Sequence, residues 1–108
     1  MSYVKVAEKD MIPSGGMKSF PVNGKTVLLA NVDGAYYALD NKCPHMGGNL
    51  SQGSLEGATL ACPRHGAKFD VRTGANVAGA KLAFVHMNVG NAQAFPVKVE
   101  GEDILVEL

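Results

Sequence analysis

Two stretches, CPHMGG at 43–48 and CPRHGAKFD at 62–70, hold both cysteines of the chain and two of its three histidines. Each puts a proline directly after its cysteine, then a histidine, then glycine. Proline restricts the backbone between the two donor side chains, and glycine lets backbone come close to whatever those side chains hold. If the two pairs serve one centre, the chain must bring two separate loops face to face. That requirement constrains the fold more than any other feature.

The flanking sequence reads as short strands. YVKVA (3–7) alternates, and DMIPSGG (10–16) breaks it with Pro13, Gly15 and Gly16. MKSFPV (17–22) and KTVLLANV (25–32) follow, parted by Asn23-Gly24. Asp33-Gly34 lies between two β-rich runs and suits a two-residue type I′ hairpin, because both central residues there need positive φ. LSQGSLEGATLA (50–61) reads as a turn and one short strand, KFDVRTG (68–74) as a strand running into a turn at Thr73-Gly74, and KLAFVHMNV (81–89) as a single strand. AFPVKVEGEDILVEL (94–108) closes the chain as a hairpin about Gly101. No window of about 12 residues carries a 3.6-residue period, so helices are not expected. With 108 residues, the expectation is one all-β, antiparallel domain.

Bulk charge excludes some functions. Ten Lys and Arg balance ten Asp and Glu, so no global field draws the chain to nucleic acid or anionic lipid. The apolar runs fall far short of the ~20 residues of a membrane helix, and MSYVKVAEKD lacks the apolar core of a signal peptide. A cytoplasmic location and a monomer are expected. The local balance is uneven: from Asn41 to Lys81 five cations stand against Glu56 and Asp70, whereas beyond Phe95 Lys98 faces Glu100, Glu102, Asp103 and Glu107. An ordinary solvated surface explains this, and so does a basic docking face around the two loops.

Cys43-x-His45 and Cys62-x-x-His65 admit three chemistries. The first is a pair of packed or disulfide-bonded cysteines beside unrelated histidines. The second is a structural zinc on Cys2His2 ligands, in a zinc-stabilised β interaction module. Zinc sites usually pair Cys with Cys and His with His along the chain, which this spacing does not do. The third is a [2Fe–2S] cluster with two cysteines on one iron and two histidines on the other. A short spacing within each loop suits that arrangement, because the two irons lie side by side.

CPH, sixteen residues, then CPRHG resembles the Rieske motif, C-x-H followed by C-x-x-H. HGAKFDVRTG (65–74), VDGAYYALDNKCPHMGG (32–48) and FPVKVEGEDILVEL (95–108) are similar to the family's flanking segments. The resemblance implies one Rieske-like domain over 1–108 with stacked sheets: a basal β part at about 1–40 and 81–108, and an inserted two-loop cluster-binding subdomain at about 41–80. By residue-for-residue match Cys43 and Cys62 bind one iron, and His45 and His65 the other, of one [2Fe–2S] cluster per chain.

A cluster with all four protein ligands supplied has no open position for substrate. The resemblance therefore implies a one-electron carrier with no catalytic residues of its own. Its expected redox partners are a flavoprotein reductase and a terminal oxygenase; the alternative is a small subunit of another complex, nitrite-reductase-like. Respiratory-chain members carry two further cysteines where this chain has Gly48 and Arg64. High-potential members resemble CPCHGSxYD, whereas Ala67 and Phe69 here replace a serine and a tyrosine that donate hydrogen bonds to cluster sulfur. Losing those donors implies a potential in the lower part of the Rieske range, about −150 to +300 mV. Residues 75–94 depart from the family pattern, with no proline between Arg64 and Pro96. His86 lies there, read as one face of a strand, with third ligand or proton relay as the sharper option. Met46 is read as an apolar shield, and of Tyr36 and Tyr37 one is expected inside and one in water.

Overall fold

The computed structural model describes residues 2–42, 49–61, 68–78, 80–82, 85–87 and 92–108, with backbone alone at 78, 80–82 and 85–87. Among the described residues the strands are β1 (Tyr3–Glu8), β2 (Met17–Val22), β3 (Lys25–Val32), β4 (Ala35–Asp40), β5 (Ser54–Glu56), β6 (Thr59–Ala61), β7 (Lys68–Asp70), β8 (Asn76–Ala78), β9 (Ala80–Leu82), β10 (Val85–Met87), β11 (Ala94–Phe95), β12 (Val97–Glu100) and β13 (Asp103–Glu107). Single 3-10 turns at Lys9–Met11 and Leu50–Gln52 are the helical elements among these residues, and neither could cross a membrane. Every strand pairing among the described residues is antiparallel.

Turn chemistry sets the frame. Asp33 (φ 52°) and Gly34 (φ 91°) form the two-residue connection that joins β3 to β4, closed by the pair Val32–Ala35. Asn23 (φ 49°) and Gly24 (φ 80°) do the same between β2 and β3. Positive φ at both positions matches the twist of paired strands, and Asn, Asp and Gly tolerate it best. The hairpins expected at Asp33-Gly34 and about Gly101 are present, and the turn at Asn23-Gly24 closes a third.

Three sheets are layered. The central one has the order β11-β4-β3-β2, and it lies between β1-β13-β12 and β5-β6-β7-β8. Side chains alternate along a strand, so β3 feeds two cores. Leu28 and Ala30, with Leu39 of β4, meet Leu50, Leu60, Phe69, Val71 and Ala92. Val27 and Leu29, with Ala38, meet Ala7, Ile12, Phe95, Ile104 and Val106. Covering both faces explains why Val27 to Asn31 are buried without a break.

Three local expectations change. Tyr36 and Tyr37 are both half-buried, packed against opposite cores, because β4 has no solvent face. The single strand expected at 81–89 is a pair of three-residue strands, β9 and β10, in register Val85 to Leu82 and Met87 to Ala80. Residues 54–61 hold a β5–β6 hairpin rather than one strand, turning at Gly57 and Ala58.

Candidate metal centre

The four candidate ligands, Cys43, His45, Cys62 and His65, and also Met46, Arg64 and Ala67, lie outside the described residues. The structure describes the frame that carries their two loops. Residues 43–48 are bounded by an isolated antiparallel bridge between Lys42 and Asn49. Residues 62–67 are bounded by the β6–β7 hairpin, whose last pair is Ala61–Lys68.

Asn41 anchors the first loop. Its backbone N–H donates to Thr26 O at 2.9 Å, and its carbonyl accepts from Leu50 N–H at 2.8 Å. Its side-chain Oδ1 accepts from Ser51 N–H at 2.8 Å, and Nδ2 faces Asn49 Oδ1 at 3.4 Å. The residue is 5% exposed. Next to it, Asp40 Oδ1 accepts from Lys42 N–H at 3.0 Å, and Asp40 N–H donates to Gln93 O at 2.8 Å. The outgoing limb thus continues from β4 of the central sheet, and the returning limb is tied to it at Asn41 and Lys42 before it enters β5. A polar cavity of about 330 Å³ lies beside this base, lined by Gly24, Lys25, Thr26, Asp40, Asn41, Lys42 and Asn49.

The second loop stands on a buried floor. Lys68 is exposed, whereas Phe69 turns inward and packs among the leucines of the core. Past Phe69, the Asp70 carboxylate takes Arg72 Nε at 3.0 Å and Nη2 at 2.9 Å, and its backbone carbonyl accepts from Gly74 N–H at 2.7 Å. The Arg72 guanidinium holds the Asp70 carboxyl below the usual carboxylate range. Gly74 O in turn accepts from Ala92 N–H at 2.8 Å.

The two bases touch at Gly53. A Cβ there would run into the carbonyl of Ala61, the residue before Cys62, and would crowd Leu50 O at 3.2 Å. Glycine lets the backbone leaving the first loop lie against the backbone entering the second. The loops at 43–48 and 62–67 thus start from neighbouring bases, which is the placement a shared centre requires. The donor set fits an iron–sulfur cluster: two thiols and two imidazoles, one of each per loop.

The sequence reading identified the candidate ligands but missed Asn41, Gly53 and the Asp70–Arg72 pair. Gly53 has a signal in SQGS, which by itself reads as a simple turn. Asn41 had one in its position, a polar residue directly after an apolar strand.

A family model for the Rieske [2Fe–2S] domain matches residues 2–87. The chain belongs to the Rieske [2Fe–2S] domain family. As a Rieske protein it carries one [2Fe–2S] cluster and is an electron-transfer component rather than an enzyme. It is 39% identical, over 90% of its length and 86% of the relative's, to the ferredoxin component of the naphthalene 1,2-dioxygenase system of Pseudomonas aeruginosa. Its fold matches the ferredoxin of carbazole 1,9a-dioxygenase from Nocardioides aromaticivorans IC177 with a TM-score of 0.83 and 31% identity, over 98% and 97% of the two chains. It also matches a chain in the complex of reduced oxygenase and oxidized ferredoxin of carbazole 1,9a-dioxygenase, with a TM-score of 0.75 and 26% identity over 96% and 91%.

Proposed function

We propose that this Rieske protein passes single electrons from a flavoprotein reductase to a terminal oxygenase, with Cys43 and Cys62 on one iron of its cluster and His45 and His65 on the other. The observation that carries the ligand assignment is the contact of Gly53 with Ala61, which sets the two Cys/His loops on adjoining bases. The oxygenase role draws on relatives that are ferredoxin components of dioxygenase systems and on one ferredoxin-like chain complexed with an oxygenase.

When bound, the cluster supplies a one-electron couple whose added electron rests on the imidazole-ligated iron, because thiolate favours ferric iron. The chain's own residues do the holding. Asn41 and the Lys42–Asn49 bridge fix one loop, and the β6–β7 hairpin on its Phe69 floor fixes the other. Residues of about 41–80 form the cluster-bearing part, and 1–40 with 81–108 form the support. Two cysteines kept as metal thiolates suit a reducing compartment, so the protein works in the cytoplasm.

Metal and acid-labile sulfide analysis of anaerobically purified protein tests the assignment, with two irons and two sulfides per chain expected. Cys43→Ser, His45→Ala, Cys62→Ser and His65→Ala should each abolish or bleach the visible spectrum. One zinc per chain, or a variant with an unchanged spectrum, overturns it. The partner reading is tested by reduction with a flavoprotein reductase and reoxidation by an oxygenase in single-turnover mixing.

A further inference from the structure

We infer that Asn41 is a positioning residue for the cluster, with its buried side-chain amide reinforcing the single bridge that closes the first loop among the described residues. This rests on the ligand assignment above. The second loop closes on a ladder of three residue pairs, Thr59–Asp70, Leu60–Phe69 and Ala61–Lys68. The first closes on one isolated bridge, Lys42–Asn49, since β4 has ended at Asp40. That bridge and the bond from Leu50 N–H to Asn41 O are the backbone ties between the two limbs among the described residues, fewer than the second loop's ladder supplies.

Asn41 adds to those ties. Its backbone ties the outgoing limb to Thr26 and receives Leu50 N–H from the returning limb. Those two bonds would form with any residue. The side chain adds what only a short acceptor can supply: Oδ1 takes Ser51 N–H at 2.8 Å, gripping the returning limb one residue further along. At 5% exposure, water cannot easily replace that oxygen. Asn41 lies two residues before Cys43, and Asn49 to Gly53 lead to the contact with Ala61, next to Cys62. A swing of the returning limb would therefore shift one loop against the other. The Nδ2 to Asn49 Oδ1 contact, at 3.4 Å, is a minor part of the grip.

The test uses the loaded protein and reads cluster release into an iron chelator, by visible circular dichroism, well below the unfolding temperature. Asn41→Ala should release iron about tenfold faster, the equivalent of one lost buried hydrogen bond, with the far-UV spectrum unchanged. Asn41→Asp keeps an acceptor for Ser51 N–H and should return release to within about threefold of the parent. Asn49→Ala should change it by less than about twofold. Hydrogen exchange in the unmodified protein needs no variant: the Ser51 amide should be protected like the amides of β3. Parent-like release from Asn41→Ala, release that tracks loss of strand signal, no rescue by Asn41→Asp, or a freely exchanging Ser51 amide each overturns the inference. A cluster that survives in Cys43→Ser instead rejects the ligand assignment, whatever Asn41 does.

Discussion

The central strand β3 and the loop-bearing sheet β5–β8 are held by different physics. Val27 to Asn31 form a continuous buried run covered on both faces, and each leucine there has apolar neighbours on its own side. The strands of the loop-bearing sheet have three residues each and bury only a few side chains, chiefly Leu60 and Phe69. Hydrogen-bonded turns at Asp70–Gly74 and the Gly53–Ala61 contact hold them together. Hydrophobic burial is non-directional and tolerates small shifts, whereas a cluster tolerates little change between its ligands. On the proposed ligand assignment, one part of the protein supplies stability and the other supplies ligand geometry.

Removing the cluster should break the comparison most completely. After reductive chelation, hydrogen exchange should accelerate throughout 41–80 and stay slow in β2, β3 and β4. Uniform protection, or uniform loss of it, would mean that the two regions do not differ in this way.

Two neighbouring leucines sharpen it next. Leu28 and Leu29 are both fully buried but face opposite cores. Each change to Ala should cost about 2–5 kcal/mol in denaturant melts. Only Leu28→Ala, on the side of Leu60 and Phe69, should also hasten iron release below the melting point. Equal effects on release would show that the two cores are not independent.

Phe69 tests whether the floor of the second loop reaches the cluster. It is wholly buried, so the hydroxyl introduced by Phe69→Tyr needs a partner. If it donates to a cluster sulfur, the midpoint should rise from the lower part of the Rieske range with stability kept. If it finds none, the protein should lose about 1–3 kcal/mol at unchanged potential. Protein-film voltammetry and thermal melts separate the two results.

Charge around the loop bases gives a smaller effect. Lys42 and Lys68 are exposed where the two loops begin and end. Electron transfer to an acidic partner surface should slow as salt rises, since the Debye length is ~8 Å at physiological ionic strength. Lys42→Glu with Lys68→Glu should remove or reverse that dependence, and rates indifferent to both would point to apolar docking.

The smallest expected effect belongs to Asp70. Its carboxyl is held below the ordinary range chiefly by the hydrogen bonds from Arg72. The ion pair's stability is fully present above the unfolded carboxyl's titration near ~3.9, and is lost as pH falls through the lower folded value. Arg72→Ala should lower stability slightly at pH 7 and almost not at all in strong acid, because the exposed pair is screened by solvent. A cost independent of pH would assign Arg72 a packing role instead.

Much of this molecule is local information. The hairpins at Asn23-Gly24, Asp33-Gly34 and Gly101, and the strands beside them, follow from residues that tolerate positive φ placed between alternating runs. The Rieske family follows from Cys, His, Pro and Gly at fixed spacings within two short loops. Such signals are complete within a few consecutive residues, so they can be read before anything is folded. The tertiary structure decided what depends on how separate segments meet. Tyr36 and Tyr37 are both half-buried because a second sheet covers the face that alternation alone would leave in water. Asn41 looks like any polar strand end until Ser51 comes within reach of its oxygen, and Gly53 looks like any turn until Ala61 lies against it. Asn41 and Ser51 are ten residues apart and Gly53 and Ala61 eight, so both contacts are short in sequence. They form only once the first loop has turned back and the β5–β6 hairpin has closed, and neither event is written in the pattern of residues around one position.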